Sequence, residues 1–261
     1  MIAQFALRLL CGISLTWLML PRSQITPGFF RIQSLLVLAL GALGGITLGA
    51  TGFGQGLTPV LPTAVLRGGC FMAAGLAYVS SVFWTLGRRR GGTVCLVAIA
   101  AISTGTLLAG ALSRESPSSG LSFLTAFSEL ATALTIGGAT VGMLLGHWYL
   151  TSPTMSIAPL STANLCFASA AGVRLVVSAT ALAVGWQTLS EAALAGTPLL
   201  WLVLRWLAGI VAPLVLALMV WRILRYRNTQ AATGVLFVGV IVTFIGELSA
   251  TLVSRELHLP L

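Results

Sequence analysis

The sequence predicts an all-α fold, a polytopic transmembrane helix bundle of about eight helices. Only 7% of its 261 residues are charged and 57% are hydrophobic, against roughly 25% charged residues in ordinary soluble domains. The mean hydropathy of +1.01 agrees. The apolar runs are about 18 to 25 residues long, enough for a helix rising ~1.5 Å per residue to cross a hydrocarbon core of ~30 Å. Barrel strands would be shorter and would alternate apolar with polar residues.

Gly, Pro, Ser and Arg breaks divide the chain into helices expected near 4–21, 31–50, 68–87, 93–112, 125–149, 165–186, 198–222 and 232–253. In the first, Arg8 precedes an apolar run as in a secretory signal, but no small-x-small cleavage site follows before Pro21-Arg22, so a retained helix is expected. The second carries Gly41, Gly45 and Gly49 and the fifth Gly138, Gly142 and Gly146. Glycines every four residues form a face on which a neighbouring helix can approach closely. The longest connection, Thr51 to Leu66, holds Gly52, Gly54, Gly56, Pro59 and Pro62, which suits a loop lying in the interface or dipping back into protein. The connection from Thr151 to Asn164 is rich in Ser, Thr and Pro and carries no charge. No connection is large enough for a folded domain, and residues 1–261 are read as a single membrane domain.

Orientation follows from the arginines. The first, third and seventh connections carry Arg22, Arg31, Arg88, Arg89, Arg90, Arg222, Arg225 and Arg227, while Arg8, Arg67, Arg114 and Arg255 fall on the other side. Positively charged loops stay inside, which places both termini outside. Glu115, Glu191 and Glu256 fall outside as well, and Trp148, Trp186, Trp221 and Tyr226 sit near helix ends, where amphipathic rings are favoured.

Two strings recur in the same order. Gly44-Gly45-Ile46-Thr47-Leu48-Gly49 resembles Gly137-Gly138-Ala139-Thr140-Val141-Gly142, and Cys70-Phe71 with Ala73-Ala74-Gly75 resembles Cys166-Phe167 with Ala170-Ala171-Gly172. A duplication relating 31–112 to 125–222 would be an inverted repeat of the transporter kind. Chance recurrence of small residues in membrane sequences is the alternative.

Several function classes are excluded by composition. All fourteen basic residues are Arg and all five acidic residues are Glu; the arginines lie scattered at helix ends without a basic face, so no nucleic-acid partner is expected. Cys11, Cys70, Cys95 and Cys166 fall in different apolar segments without CxxC or His/Cys spacing, so neither a metal nor a disulfide is expected. The two histidines, His147 and His258, do not make a bis-His haem site. Without Asp, HExxH, GxSxG or a Walker motif, the chain lacks the reacting groups of the common hydrolases and ATPases. Catalysis by this chain alone is not expected.

The chemistry must therefore come from the few ionisable residues inside the apolar segments. Each costs roughly 2.5–3.5 kcal/mol to insert, so such groups face protein or a wet cavity. Arg174 lies near the middle of the sixth helix; Arg205, Glu247 and Glu129 lie toward the outer ends of the seventh, eighth and fifth. Their depths let two positive and two negative groups converge, either as ion pairs fixing the bundle or as a proton path or polar ligand pocket. His147-Trp148-Tyr149, at the inner end of the fifth helix, supplies a protonatable ring beside aromatic faces, which suits hydrogen bonding and stacking of a quinone headgroup; an interfacial belt is the simpler reading. Glu129 and His147, eighteen residues apart on one helix, are separated by about 27 Å and cannot share a site.

Two functions fit these residues. One is an integral membrane subunit of a respiratory or photosynthetic electron-transfer complex, anchoring membrane or periplasmic redox partners and contacting quinone or a proton path, in a bacterial inner membrane. The other is a small secondary transporter in which Arg174 and Arg205 attract an anionic solute and Glu129 or Glu247 carries a coupling proton. A structural or assembly subunit without a ligand is a third alternative. In each case the expected surroundings are membrane lipids, some of them bound, and no covalent or metal cofactor is expected in the chain.

Overall fold

The computed structural model describes residues 2–51, 62–112, 119–152, 154–185 and 197–257, with side chains over 2–48, 62–112, 123–152, 154–183 and 199–252. Among these residues there is no strand, and eight helices are long and apolar enough to cross a membrane. They are α1 (Ile2–Met19), α2 (Pro27–Thr51), α3 (Thr63–Thr85), α4 (Arg89–Leu112), α5 (Ser119–Thr151) and α6 (Ala158–Gly185). A seventh span joins α7 (Thr197–Trp206) to α8 (Ala212–Arg225) through a π-helical turn, Leu207–Val211, and α9 (Thr229–Leu257) is the eighth. The chain is thus an all-α, multi-pass membrane protein.

Helix starts differ from the sequence expectation in a consistent way. The sequence breaks α2 before residue 31 and α6 before residue 165, yet the helices begin at Pro27 and Ala158. Proline lacks an N–H that a first turn leaves unbonded anyway, so Pro27 and Pro159 open helices instead of interrupting them. The uncharged connection after α5 consequently shrinks to about six residues. The expected interfacial or re-entrant loop falls largely on residues 52–61, outside the described residues, as do Arg114, Glu115, Trp186, Glu191, His258 and the side chains of Arg255 and Glu256.

Alternating passes bring the first and last helical residues to one end of the bundle, here the terminal end. At the opposite, loop end stand the eight arginines of the first, third and seventh connections, seven of them exposed. Arg89 Nη1 donates to the Arg22 carbonyl at 3.1 Å, and Arg225 lies 3.8 Å over the Trp221 ring. Arg8 does not belong to the terminal-end flank: it sits within α1, its side chain 12% exposed, facing carboxylates.

Small residues set the helix spacing. α5 is the central element, packed on α1, α4, α6 and α9. Gly12 of α1 meets Ala133 and Gly137 of α5 so closely that a Cβ at Gly12 would overlap the Ala133 carbonyl. Along the expected stripe, Gly138 faces the Phe167 backbone, Gly142 faces Leu236 and Gly146 faces Thr233. The other stripe packs α2 on α3, with a Cβ at Gly45 only 2.8 Å from the Phe71 ring. Gly45 and Gly138, equivalent in the recurring strings, thus meet the equivalent residues Phe71 and Phe167. Gly75 and Gly172, also equivalent, have nothing within 4 Å of an added Cβ.

These contacts separate glycines that the sequence treats alike. Gly12→Val should cost about 3 kcal/mol or more, or abolish folding, because overpacking here meets a backbone carbonyl rather than a movable side chain. Gly75→Ala and Gly172→Ala should instead be neutral or stabilising by about 0.5–1 kcal/mol, since Ala is the better helix former. Detergent-solubilised melting curves of the three variants check this; a tolerated Gly12→Val would refute the α1–α5 crossing.

Candidate functional site

Helix register carries the charged residues together. α1 and α5 run parallel, so the contact of Gly12 with Ala133 predicts that residues one turn nearer the terminal end also meet. There Arg8 grips Glu129 with two bonds, Nε to Oε2 at 2.5 Å and Nη2 to Oε1 at 2.6 Å. Gln4 Nε2, one turn earlier on α1, donates to Glu129 Oε1 at 3.0 Å. The third guanidinium nitrogen, Arg8 Nη1, binds Glu247 Oε1 on α9. The other Glu247 oxygen receives Arg174 Nη2 from α6 at 3.3 Å. Glu129, Arg8, Glu247 and Arg174 thus form one continuous line of alternating charge across four helices.

Arg205 completes the cluster from α7. Its Nη2 donates to Ser178 Oγ at 2.9 Å, and Ser178 lies one helical turn from Arg174 on α6. This brings the Arg205 guanidinium to α6 one turn beyond the residue that carries the Arg174 side chain. Both arginines are only 1% exposed, and Glu129 and Glu247 are 4% and 1% exposed. An apolar cap lies one turn nearer the terminal end: Ala181 and Leu202 pack with Leu124, Trp201 and Trp206. The cap keeps the surroundings of low polarity, where ion pairs act strongly and an unmatched group is costly.

The seventh span bends its hydrogen-bonding pattern beside this site. Its π-helical turn begins two residues after Arg205, and Pro213, near the start of α8, cannot donate the usual bond to Gly209. Gly209 lies backbone to backbone with Gly246, the residue before Glu247; a Cβ on Gly209 would be 3.3 Å from Gly246 Cα. That close crossing brings the Arg205-bearing helix against the Glu247-bearing one.

Among the described residues, donors outnumber acceptors in the cluster: Nε and Nη1 of Arg174 and the same two atoms of Arg205 are buried with no hydrogen-bond partner among them. Those four nitrogens carry six N–H groups in all. Buried donors normally find partners, and leaving one unmatched costs about 1–3 kcal/mol, more for a charged group. These nitrogens can therefore donate to an electron-rich group, while Glu129 is held by Arg8 and Glu247 by Arg8 and Arg174.

Of the residues singled out in the sequence, Glu129, Arg174, Arg205 and Glu247 share this region. His147, Trp148 and Tyr149 do not converge on a second site. Successive helical residues point about 100° apart: His147 is exposed, Trp148 is half-buried and Tyr149 is buried. Trp148 Nε1 donates to Thr26 Oγ1 at 2.8 Å and its ring stands edge-on to Phe29. The Tyr149 hydroxyl donates to the Ser156 carbonyl, and Ser156 Oγ donates to Gln24 Oε1 at 2.5 Å. Trp148 and Tyr149 thus latch the first and fifth connections together. Beneath the latch is a cleft of about 500 Å³ lined by Tyr149, Thr154, Met155, Ser156, Ile157 and Arg227 with Thr229.

Sequence reasoning missed Arg8, Gln4 and Ser178. The signal for Arg8 was present: it lies six residues inside an apolar segment, with Gln4 one turn away on the same face. Nothing in the spacing singled out Ser178. All four cysteines are free and buried, and no group of three metal-ligating side chains occurs among the described residues.

The ion-pair line and the aromatic latch should respond differently to mutation. Arg8→Gln and Glu129→Gln should each cost about 3–5 kcal/mol, because removing one partner leaves an uncompensated buried charge. His147→Ala should change stability by less than about 0.5 kcal/mol, as expected of an exposed side chain. Unfolding titrations in mixed micelles check the contrast; equal effects at Arg8 and His147 would refute it.

No protein-family model, curated protein or solved structure matches this chain.

Proposed function

We propose that this chain is a small secondary transporter that binds an anionic solute at Arg174 and Arg205. The observation that carries this reading is the pair of buried guanidinium groups whose Nε and Nη1 atoms have no partner among the described residues. The apolar cap at the terminal end and the π-helical turn beside Arg205 support it further: the first keeps water from the site, and the second is a local departure from regular helix of a kind frequent at functional sites. Glu247, held between Arg8 and Arg174, is the carboxylate placed to carry a coupling proton.

A second reading rests on the cleft beside Tyr149. Its volume of about 500 Å³ falls within the roughly 300–1,000 Å³ usual for small-ligand pockets, and its Tyr, Met, Ile and Arg lining suits a quinone headgroup. In that case the chain is an integral subunit of an electron-transfer complex in a bacterial inner membrane, with redox centres carried by partner subunits and the Arg–Glu line serving proton transfer. Purification from the native membrane in mild detergent separates the two: co-purifying cytochrome or iron–sulfur subunits support the second reading, and a chain recovered alone favours the first.

Transport is tested directly with purified protein in liposomes and labelled formate or nitrate as the probe. Saturable uptake is expected, falling by about tenfold or more in Arg174→Gln, as for loss of a charge-assisted pair. Absence of uptake by folded wild-type protein for both probes would refute the transport reading.

A further inference from the structure

The loop end of the bundle carries charge of one sign. Its eight arginines meet no carboxylate among the described residues there. Of the chain's five glutamates, Glu129, Glu247 and Glu256 lie in α5 and α9 toward the terminal end. Glu115 and Glu191 fall in the six residues joining α4 to α5 and the eleven joining α6 to α7, which leave and re-enter helices at the terminal end. Eleven residues extend at most about 40 Å, too short to cross a core of ~30 Å and return. The positive charge of the loop end is therefore unbalanced whatever path those connections take.

One of the eight arginines is held at a position that glycine suits better. The third and seventh connections make the same tight turn: the Arg89 N–H donates to the Gly87 carbonyl, and the Thr229 N–H to the Arg227 carbonyl. The residue in the left-handed region is Gly87 at φ 70° in one and Arg227 at φ 56° in the other. A side chain there is strained, and such strain collects at binding and catalytic sites. Arg227 lines the cleft of about 500 Å³ together with Thr154 and Thr229; Met155 and Ile157 line it too and pack against the apolar core. The cleft thus offers a cation and hydroxyls beside an apolar wall, near the exposed rings of Trp221 and Tyr226 that suit the bilayer interface.

We propose that this cleft holds the phosphate of an anionic membrane lipid, with Arg227 as the cation that pairs with it. A lipid fits better than a soluble anion because its glycerol and first acyl carbons would cover Met155 and Ile157. A zwitterionic headgroup fits worse, because its ammonium would meet arginines and no carboxylate at this end. The proposal is independent of the transport reading and gives the cleft an occupant other than the quinone of the second reading.

The experiment is native mass spectrometry of the full chain released from micelles, titrated with short-chain phosphatidylglycerol, short-chain phosphatidylcholine, glycerol phosphate and a short-chain benzoquinone. Phosphatidylglycerol should bind about fivefold or more tighter than each of the others. Arg227→Gly relieves the strain, so it should melt at or above the wild-type temperature in lipid-free detergent and yet lose about fivefold or more in phosphatidylglycerol affinity. Arg88→Gln removes the same charge from the third connection and should change that affinity by less than about twofold, since exposed charges beyond a Debye length are screened. An unaltered affinity in Arg227→Gly, or phosphatidylcholine binding as tightly as phosphatidylglycerol, would overturn the proposal. An equal loss in Arg88→Gln would overturn it as well, replacing a site with diffuse attraction to the whole loop end. Glycerol phosphate binding as tightly as the lipid would assign the cleft to a soluble anion, and tighter binding of the benzoquinone would return it to the second reading; either result overturns the lipid assignment.

Discussion

The structure depends on Arg8 reaching two carboxylates at once. In a membrane bundle no water is available to solvate a stray charge, so each ionisable side chain must meet its complement within the protein. Arg8 binds Glu129 of α5 with one edge of its guanidinium and Glu247 of α9 with the remaining nitrogen. A lysine, a point charge without a planar fork, could not make both arrangements. Because Glu247 also holds Arg174, helices distant in sequence are registered to one another by a single chain of charge.

The apolar packing makes that line geometrically attainable. The Gly12–Gly137 crossing sets α1 against α5 at the depth from which Arg8 reaches Glu129, and the Gly209–Gly246 crossing sets the seventh span against α9 beside Arg205 and Glu247. Without small residues at these crossings, the helix axes would stand farther apart and the side chains would not meet. Packing in lipid gains little from expelling water, so close van der Waals contact and internal polar bonds carry more of the specificity than they would in a soluble core.

Much of this was legible in the sequence, and the omissions have physical causes. Length and hydropathy identify eight spans because the bilayer imposes a minimum apolar run. Depth along each helix also brought Glu129, Arg174, Arg205 and Glu247 to a common level. Depth does not determine rotation about the helix axis, however, so the bridging role of Glu247 and the contact of Arg205 with Ser178 were not readable. An arginine near an apolar end commonly anchors at the interface, which puts Arg8 on a flank, whereas the apolar run continues on both sides of it and the side chain turns inward. Pro27 and Pro159 read as breaks in the sequence because proline ends helices as readily as it opens them. His147-Trp148-Tyr149 is compact in sequence, but helical geometry turns its three side chains in different directions.

The central claim is that Arg8 and Glu247 act through one another within a continuous ion-pair line, and a double-mutant cycle tests it most directly. Unfolding free energies would be measured in mixed micelles for the wild type, Arg8→Gln, Glu247→Gln and the double variant. The double variant should be less destabilised than the sum of the singles by about 1 kcal/mol or more, the signature of residues in one network. Additive losses would contradict it and would mean that the two residues stabilise the bundle independently.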